Sequence, residues 1–499
     1  MGMVTTQVRA VEQAVRDTRA MLTDRAPLRD PLLLGVRLGD LARSSGFLWM
    51  EGYLKTIERY SRRAHLGRRQ ARGLALMTLA VDLLSGYTLL AQRQRLPGRL
   101  TRAQDWAWQH QRSADRLRDT AAALQGTLIK AAQFASTRPD ILPAPYIRAL
   151  ATLQDRVPAQ PWPEMRRAIT RELGRPPEAV FQRIETRPIA SASIAQVHRA
   201  ELPDGRQVAV KIQYPGIQGV MHTDLTILQW VVTEVARLAP ALQLQPILDH
   251  LRDTLPLELD FVREAAAMTT LRAALAHRAD VLVPAVIPEL STRRLLVMEY
   301  VEGIKITDRA ALERAGIAPA AVARQLHALY AEQIFRLGWL HADPHPGNLL
   351  VQQRPEGPRI VLLDHGLTVP LAPALTQALG EMVRALLAGD FAGLTAALER
   401  AGMRLDPDVD LATLLGLVGV LLNAGGAAGA PAAKADALAI GRQLGHSIGH
   451  IPADLLLVGR ALGLLDGTTK LLDPSANALE SVAAYFAANP PAASEPSAE

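Results

Sequence analysis

The sequence predicts an α+β protein: a long helical N-terminal extension, then a small β-rich lobe, then a larger helical lobe. Three observations predict it. Residues 1 to about 155 are rich in Ala, Leu and Arg, with apolar residues at helical spacing and few turn signals. Between about 160 and 300 short β-like runs appear, SIAQVHRAEL, RQVAVKIQY and RRLLVMEYV, the first two joined by PDG, a hairpin-type turn. From 318 onward helices dominate again, interrupted by NLLVQQ and RIVLLDHGL, a second hairpin around RPEGP. The expected boundaries are 1–155 for the extension, 156–303 for the small lobe and 304–485 for the large one, with a Pro/Ser/Ala-rich disordered tail over 486–499.

The 499 residues are enough for two or three domains, and 49% hydrophobic against 21% charged residues places the chain among globular proteins. The absence of cysteine excludes disulfides, thiolate metal sites and a Cys nucleophile, and fits a reducing compartment. A net charge of +6 is too diffuse for a nucleic-acid partner. The segment from Glu58 to Arg72 is locally basic; it reads either as a solvated helix face or as a patch for a peripheral anionic membrane surface. LALMTLAVDLLSGYTLLA, residues 74–91, carries Asp82 and Gly86 at its centre, so a buried or interfacial helix is expected there rather than a membrane span. With no secretory signal at the start, the expected location is cytoplasmic, peripheral on the inner face of the membrane.

The chemistry begins at Lys211 in VAVKIQY. A lysine inside an apolar, β-branched run requires an anion, either a carboxylate or a phosphate. The chain has six lysines against 49 arginines, so ordinary positive charge is carried by Arg and the few lysines need a reason. In LPLELDFVREAA, on a predicted helix, Asp260 and Glu264 stand four apart and share a face, and Glu264 is the partner expected for Lys211. Upstream, Ala190, Ser191, Ala192 and Ser193 form a small-residue turn of the kind that lets backbone N–H groups approach phosphates. HADPHPGN, residues 341–348, admits three readings: a Pro-rich turn, a hydrolytic metal site built on His341, Asp343 and His345, or a phosphoryl-transfer loop. Asp343, Asn348 and then Asp364 ahead of a glycine supply hard oxygen ligands in the order and spacing used by protein kinases. VMEYVEG, with Glu299, Tyr300 and Val301, falls where the backbone of an interlobe hinge would bind adenine.

IKAAQFASTRPDILPAPYIRALATLQDRVP, PIASASIAQVHRA, VAVKIQYPGI, ELDFVREAA, HADPHPGN and LLDHG together resemble the ABC1/ADCK/UbiB family of atypical protein-kinase-like proteins, over roughly residues 95–475. The resemblance implies a two-lobed protein-kinase-like fold, an Ala-rich loop in place of a Gly-rich one, and a helical extension packed over the nucleotide site through a Lys-x-Gly-Gln signature. It implies ATP or ADP with Mg²⁺ or Mn²⁺, and a role as ATPase or small-molecule kinase in ubiquinone biosynthesis or lipid homeostasis, with a quinone precursor or lipid as partner. Carried onto this chain, Lys130 and Gln133 occupy the extension signature, with Ala132 where the family has glycine. Lys211 would contact the α and β phosphates and pair with Glu264, while Glu258 or Asp260 would face Lys130. Asp343 would be the catalytic carboxylate, with Asn348 and Asp364 as metal ligands. His365 replaces the phenylalanine of the kinase triplet, in a neutral or a regulatory role. The other reading is a catalytically weak, pseudokinase-like nucleotide- or lipid-binding module. Some family members end in transmembrane helices, whereas here LDPSANALESVAAYFAAN leads into a polar tail, so the expected membrane contact is peripheral.

Overall fold

The computed structural model describes residues 68–95, 102–136, 142–153, 159–238, 244–405, 448–450 and 452–488. Helices α1 (Arg68–Arg95), α2 (Ala103–Leu124), α3 (Thr127–Ser136), α4 (Ala144–Leu150) and α5 (Trp162–Leu173) come first. Strands β1 (Arg183–Ile184), β2 (Ala190–Ser191), β3 (Ala195–Glu201) and β4 (Gln207–Gln213) precede α6 (Ile217–Leu238), α7 (Gln245–Glu258) and α8 (Phe261–Ala274). Then come β5 (Val281–Leu282), β6 (Leu295–Glu299), β7 (Ile304–Lys305), α9 (Arg309–Arg314), α10 (Pro319–Glu332) and β8 (Trp339–His341). The described chain closes with β9 (Leu349–Arg354), β10 (Gly357–Leu362), β11 (Thr368–Pro370), α11 (Pro373–Ala388), α12 (Phe391–Arg400), β12 (Arg404–Leu405), β13 (Ile448–His450), α13 (Ala453–Leu472) and α14 (Ala478–Ala488). Two compact units result: one from the described parts of 1–165, 190–196 and 213–259, the other from those of 166–189, 197–212 and 260–499.

The first unit is built on helices. α1 packs on α2 and α6, and Leu76, Met77, Ala121, Leu128, Leu150 and Ile227 close into one apolar core. The apolar run of residues 74–91 is therefore a buried bundle helix, and Asp82 within it is met by Arg112 at 3.0 Å and Arg116 at 3.2 Å. Gly86 permits the close approach: a Cβ there would lie 2.2 Å from Gln109 Nε2. Among the described residues no helix is long and apolar enough to cross a membrane. Of the basic segment, residues 58–67 lie outside the described residues, and Arg72 corrects the expectation of an outward charged face. Its guanidinium is bound to both oxygens of Asp224 at 2.8 and 2.6 Å, to the Gln125 carbonyl at 2.8 Å and to the Leu124 carbonyl. Those carbonyls are left over at the end of α2, where Gln125 and Gly126 take left-handed conformations to turn the chain into α3.

The second unit carries the sheets. One runs in the order β1-β3-β4-β6, with Lys211 of β4 opposite Leu296 of β6. β3 and β4 are joined at the expected PDG turn, where Leu202 N–H donates to Arg206 O at 2.9 Å. A second sheet, β5-β10-β9-β7, contains the expected later hairpin, with Val351 opposite Ile360. β8 pairs with β11, which brings His341 opposite Thr368 and sets the loop after β8 beside the turn after β10. α10 packs against α13 and α14, with Leu326, Leu329 and Tyr330 fully buried.

The single helix expected to carry Glu258, Asp260 and Glu264 is two helices. α7 ends at Glu258, and Asp260 is extended (φ −115°, ψ 92°), capping α8 by accepting from the N–H groups of Val262 at 3.1 Å and Arg263 at 3.4 Å. An aspartate satisfies a helix start better than a helix interior, which is the physical reason for the break. Asp260 is accordingly the cap of the helix that carries Glu264 rather than a residue within it, and it lies 3.4 Å from Arg293. α14 extends to Ala488, and the rest of the expected tail, 489–499, lies outside the described residues.

Candidate nucleotide and phosphoryl-transfer site

Lys211 sits in β4 with 8% of its surface exposed, its Nζ 2.7 and 2.9 Å from the two oxygens of Glu264 and 3.4 Å from Asp364. Burial drives the ammonium toward its neutral form, but the Asp364 and Glu264 carboxylates outweigh it and hold the Lys211 pKa above the ordinary lysine value. Glu264 reaches this position because the Asp260 cap starts α8 one turn earlier. The same helix grips the turn after β10 twice: Glu264 Oε1 accepts from His365 N–H at 3.2 Å, and Arg263 donates to the Gly366 carbonyl at 3.0 Å. Lysine, helix and turn are thus one hydrogen-bonded assembly.

Within that turn Asp364 is left-handed, with φ 37°, and its Oδ1 accepts from Gly366 N–H at 3.2 Å, the local bond that lets an aspartate adopt this conformation. His365 is fully buried; its Nε2 donates to Leu362 O at 3.1 Å and its Nδ1 accepts from Thr368 at 3.2 Å. Burial, then the neighbouring His341, push its pKa down to about 3. His365 is a neutral framework residue.

In HADPHPGN the two histidines are also framework. His341 Nε2 faces only carbonyl oxygens, of Asp364 at 2.9 Å and Leu363 at 3.1 Å, so it carries the proton, and Nδ1 accepts from Tyr330 OH at 2.9 Å. His345 Nδ1 accepts from Gly347 N–H at 3.1 Å and caps the short turn Pro346–Asn348. With both nitrogens of His341 spent, the alternative of a hydrolytic metal on His341, Asp343 and His345 fails. Among the described residues no group of three or more His, Cys, Asp or Glu is placed to hold a metal ion. Asp343 and Asn348 face each other instead: Asn348 Nδ2 donates to Asp343 Oδ2 at 2.9 Å. Asn348 Oδ1 and the Asp364 carboxylate, the two expected metal ligands, are both hard oxygen donors. That donor set suits a small divalent cation completed by phosphate oxygens and water rather than an all-protein cage.

At the expected hinge the backbone is tied down: Tyr300 N–H donates to Gln207 O at 3.0 Å, and the Arg199 guanidinium lies 4.4 Å from the Tyr300 ring centroid. Glu299 accepts from Ala285 N–H at 3.1 Å, so its carboxylate serves the fold, and Val301 follows directly. In the first unit, Lys130 lies 3.6 Å from Glu258. Ala132 occupies a core position among Leu76, Met77, Leu128, Leu150 and Ile227, where its methyl packs and favours helix relative to the family's glycine by ~1 kcal/mol. Gln133 is in α3, and its side chain lies outside the described residues. In the small-residue turn, β2 holds Ala190 and Ser191, Ala192 N–H donates to Ala195 O at 2.8 Å, and the buried Ser193 hydroxyl has no hydrogen-bond partner among the described residues.

Sequence reasoning missed Arg263, Arg460 and Thr468. Arg460 of α13 stands 3.6 Å from Asp343, and Thr468 donates to the Pro344 carbonyl at 3.0 Å. No local signal marks them, because each acts on a segment about a hundred or more residues away in the chain.

Residues 152–398 match the model of the ABC1 atypical kinase-like domain. AarF domain-containing protein kinase 1 of Xenopus tropicalis is 38% identical over 295 residues, 59% of this chain and 56% of that protein. The probable serine/threonine-protein kinase abkB of Dictyostelium discoideum is 37% identical over 263 residues, 52% of this chain and 39% of that protein. Among solved structures, the complex of Rv3197 with erythromycin from Mycobacterium tuberculosis is 26% identical, with a TM-score of 0.48, covering 74% of this chain and 97% of that one. The chain spans about half the length of the curated relatives it matches. By its motifs and the matched domain over residues 152–398, this chain carries an ABC1 atypical kinase-like domain.

Proposed function

We propose that this chain binds ATP with Mg²⁺ or Mn²⁺ and transfers the γ-phosphoryl group to water or to a small-molecule or lipid acceptor, in support of ubiquinone biosynthesis or lipid homeostasis. The observation that carries this reading is the convergence of Lys211, Glu264 and Asp364 in the unit that also holds the Asp343–Asn348 pair. Lys211 is the cation for the α and β phosphates, oriented by Glu264, and Asn348 with Asp364 would hold the divalent ion, which neutralises phosphate charge when bound. Asp343 orients the attacking hydroxyl or water and takes its proton. The acceptor oxygen bonds to the γ-phosphorus, the bond from phosphorus to the β–γ bridging oxygen breaks, and ADP leaves with that electron pair.

The test is Mg²⁺-dependent ADP release by the purified protein, with and without anionic lipid and a phenolic quinone-precursor mimic. Wild type is expected to release ADP, and Asp343→Asn to bind nucleotide while releasing it far more slowly. Equal, slow release by both, with nucleotide binding retained, would replace the enzyme by a nucleotide-binding module.

A further inference from the structure

The loop HADPHPGN contains no lysine or arginine, yet the oxygens of a phosphoryl group in transfer are stabilised by cations fixed close to them. Lys211, held by Glu264 and Asp364, is assigned above to the α and β phosphates rather than to the transferred group. One guanidinium does meet the loop: Arg460 Nη2 stands 3.6 Å from Asp343 Oδ1, while the other carboxylate oxygen, Oδ2, accepts from Asn348 at 2.9 Å. α13 meets the loop a second time at Thr468, 2% exposed, whose hydroxyl shares its proton between the Pro344 carbonyl at 3.0 Å and the Leu464 carbonyl of its own helix at 2.8 Å. Arg460 is therefore carried on a helix docked to the loop, beyond the matched residues 152–398. At 3.6 Å it attracts Asp343 by charge without a hydrogen bond, and its side chain keeps 26% of its surface open. It can turn its N–H groups onto an incoming phosphate without first breaking a bidentate pair.

We propose that Arg460 is the cation that stabilises the transferred phosphoryl group, delivered from the C-terminal helix α13 in place of a basic residue in the loop itself. This rests on the phosphoryl-transfer reading above. As the acceptor oxygen bonds to the γ-phosphorus and the bond to the bridging oxygen breaks, the guanidinium faces the equatorial oxygens and leaves Asp343 to receive the acceptor's proton. A planar fork of donors suits those oxygens better than a point charge.

The experiment compares wild type, Arg460→Met, Arg460→Lys and Asp343→Asn by ADP release at varied ATP, and by thermal stabilisation with MgADP alone and with MgADP plus aluminium fluoride. Arg460→Met is expected to lower kcat by roughly 100-fold or more, in the range of one lost transition-state donor, with KM for ATP changed by less than about threefold. Arg460→Lys recovers part of kcat. The extra stabilisation that aluminium fluoride adds to MgADP disappears in Arg460→Met while that from MgADP alone remains, a separation that a purely structural role would not produce. If Arg460→Met does not fold, Arg460→Gln takes its place. Turnover by the variant within about threefold of wild type, or a raised KM at unchanged kcat, overturns the inference and leaves phosphoryl transfer standing. Failure of the wild type to show Asp343-dependent release defeats the phosphoryl-transfer reading, and Arg460's role falls with it.

Discussion

Replacing Glu264 by alanine tests the central assembly most directly. Lys211 would keep only Asp364, at 3.4 Å and nearly half exposed, in place of bonds of 2.7 and 2.9 Å to a buried carboxylate. Breaking one side of a buried ion pair destabilises by ~3–5 kcal/mol because the remaining charge stays desolvated. The His365 N–H also loses its acceptor, and an unsatisfied buried donor adds ~1–3 kcal/mol. Partial compensation by Asp364 brings the expected loss to about 4 kcal/mol, read from urea unfolding of wild type and variant in the absence of nucleotide. Glu264→Gln keeps the acceptor for His365 and should lose less. Removing both charges, as Lys211→Met with Glu264→Leu, should be less destabilising than Glu264→Ala alone, since no orphan charge remains. A loss below about 1 kcal/mol for Glu264→Ala, or a double variant weaker than the single, would show that the pair is not the buried, mutually dependent unit described here.

Lys211→Ala should abolish most of the thermal stabilisation by MgADP; undiminished stabilisation removes Lys211 from the nucleotide site. Arg72→Ala should destabilise the helical unit by ~3–5 kcal/mol, because it strands Asp224, which has no exposed surface, along with the carbonyls ending α2; unfolding midpoints that match wild type would reject this. His327 is buried between Ser481 and Thr469, and burial lowers its pKa. The unfolded chain therefore takes up the proton first, so stability is full above about pH 6.5 and falls as pH drops through that value. His327→Gln should flatten the fall in melting temperature between pH 7 and 5, and a parallel fall would discard this histidine as its source.

Much of this protein could be read from the chain because its signals are local. Alternation and turn chemistry placed both hairpins, and Asp343, Asn348 and Asp364 stood out because their spacing belongs to short loops. Lys211 stood out because a lysine in an apolar strand demands an anion. Glu264 was the partner expected for it, and the structure pairs them; what stayed open was whether Glu258 or Asp260 faces Lys130, and the Asp260 cap, which ends one helix and starts the next, leaves Glu258 in that place. The histidines of HADPHPGN carried two chemistries in sequence, and only their hydrogen bonds to Tyr330, Leu363, Asp364 and Gly347 made them framework. Arg72 looked like surface charge and is internal.

The sequence by itself determined the α+β class and the reactive residue types, since those depend on periodicity and on spacings of a few residues, and its motifs carried the resemblance to a family. Tertiary structure alone decided which charges pair, which histidines are neutral, and that Arg460 comes to Asp343 from a distant helix. Burial and ion pairing are set by groups brought together across long loops, and no local pattern encodes a partner about a hundred residues away.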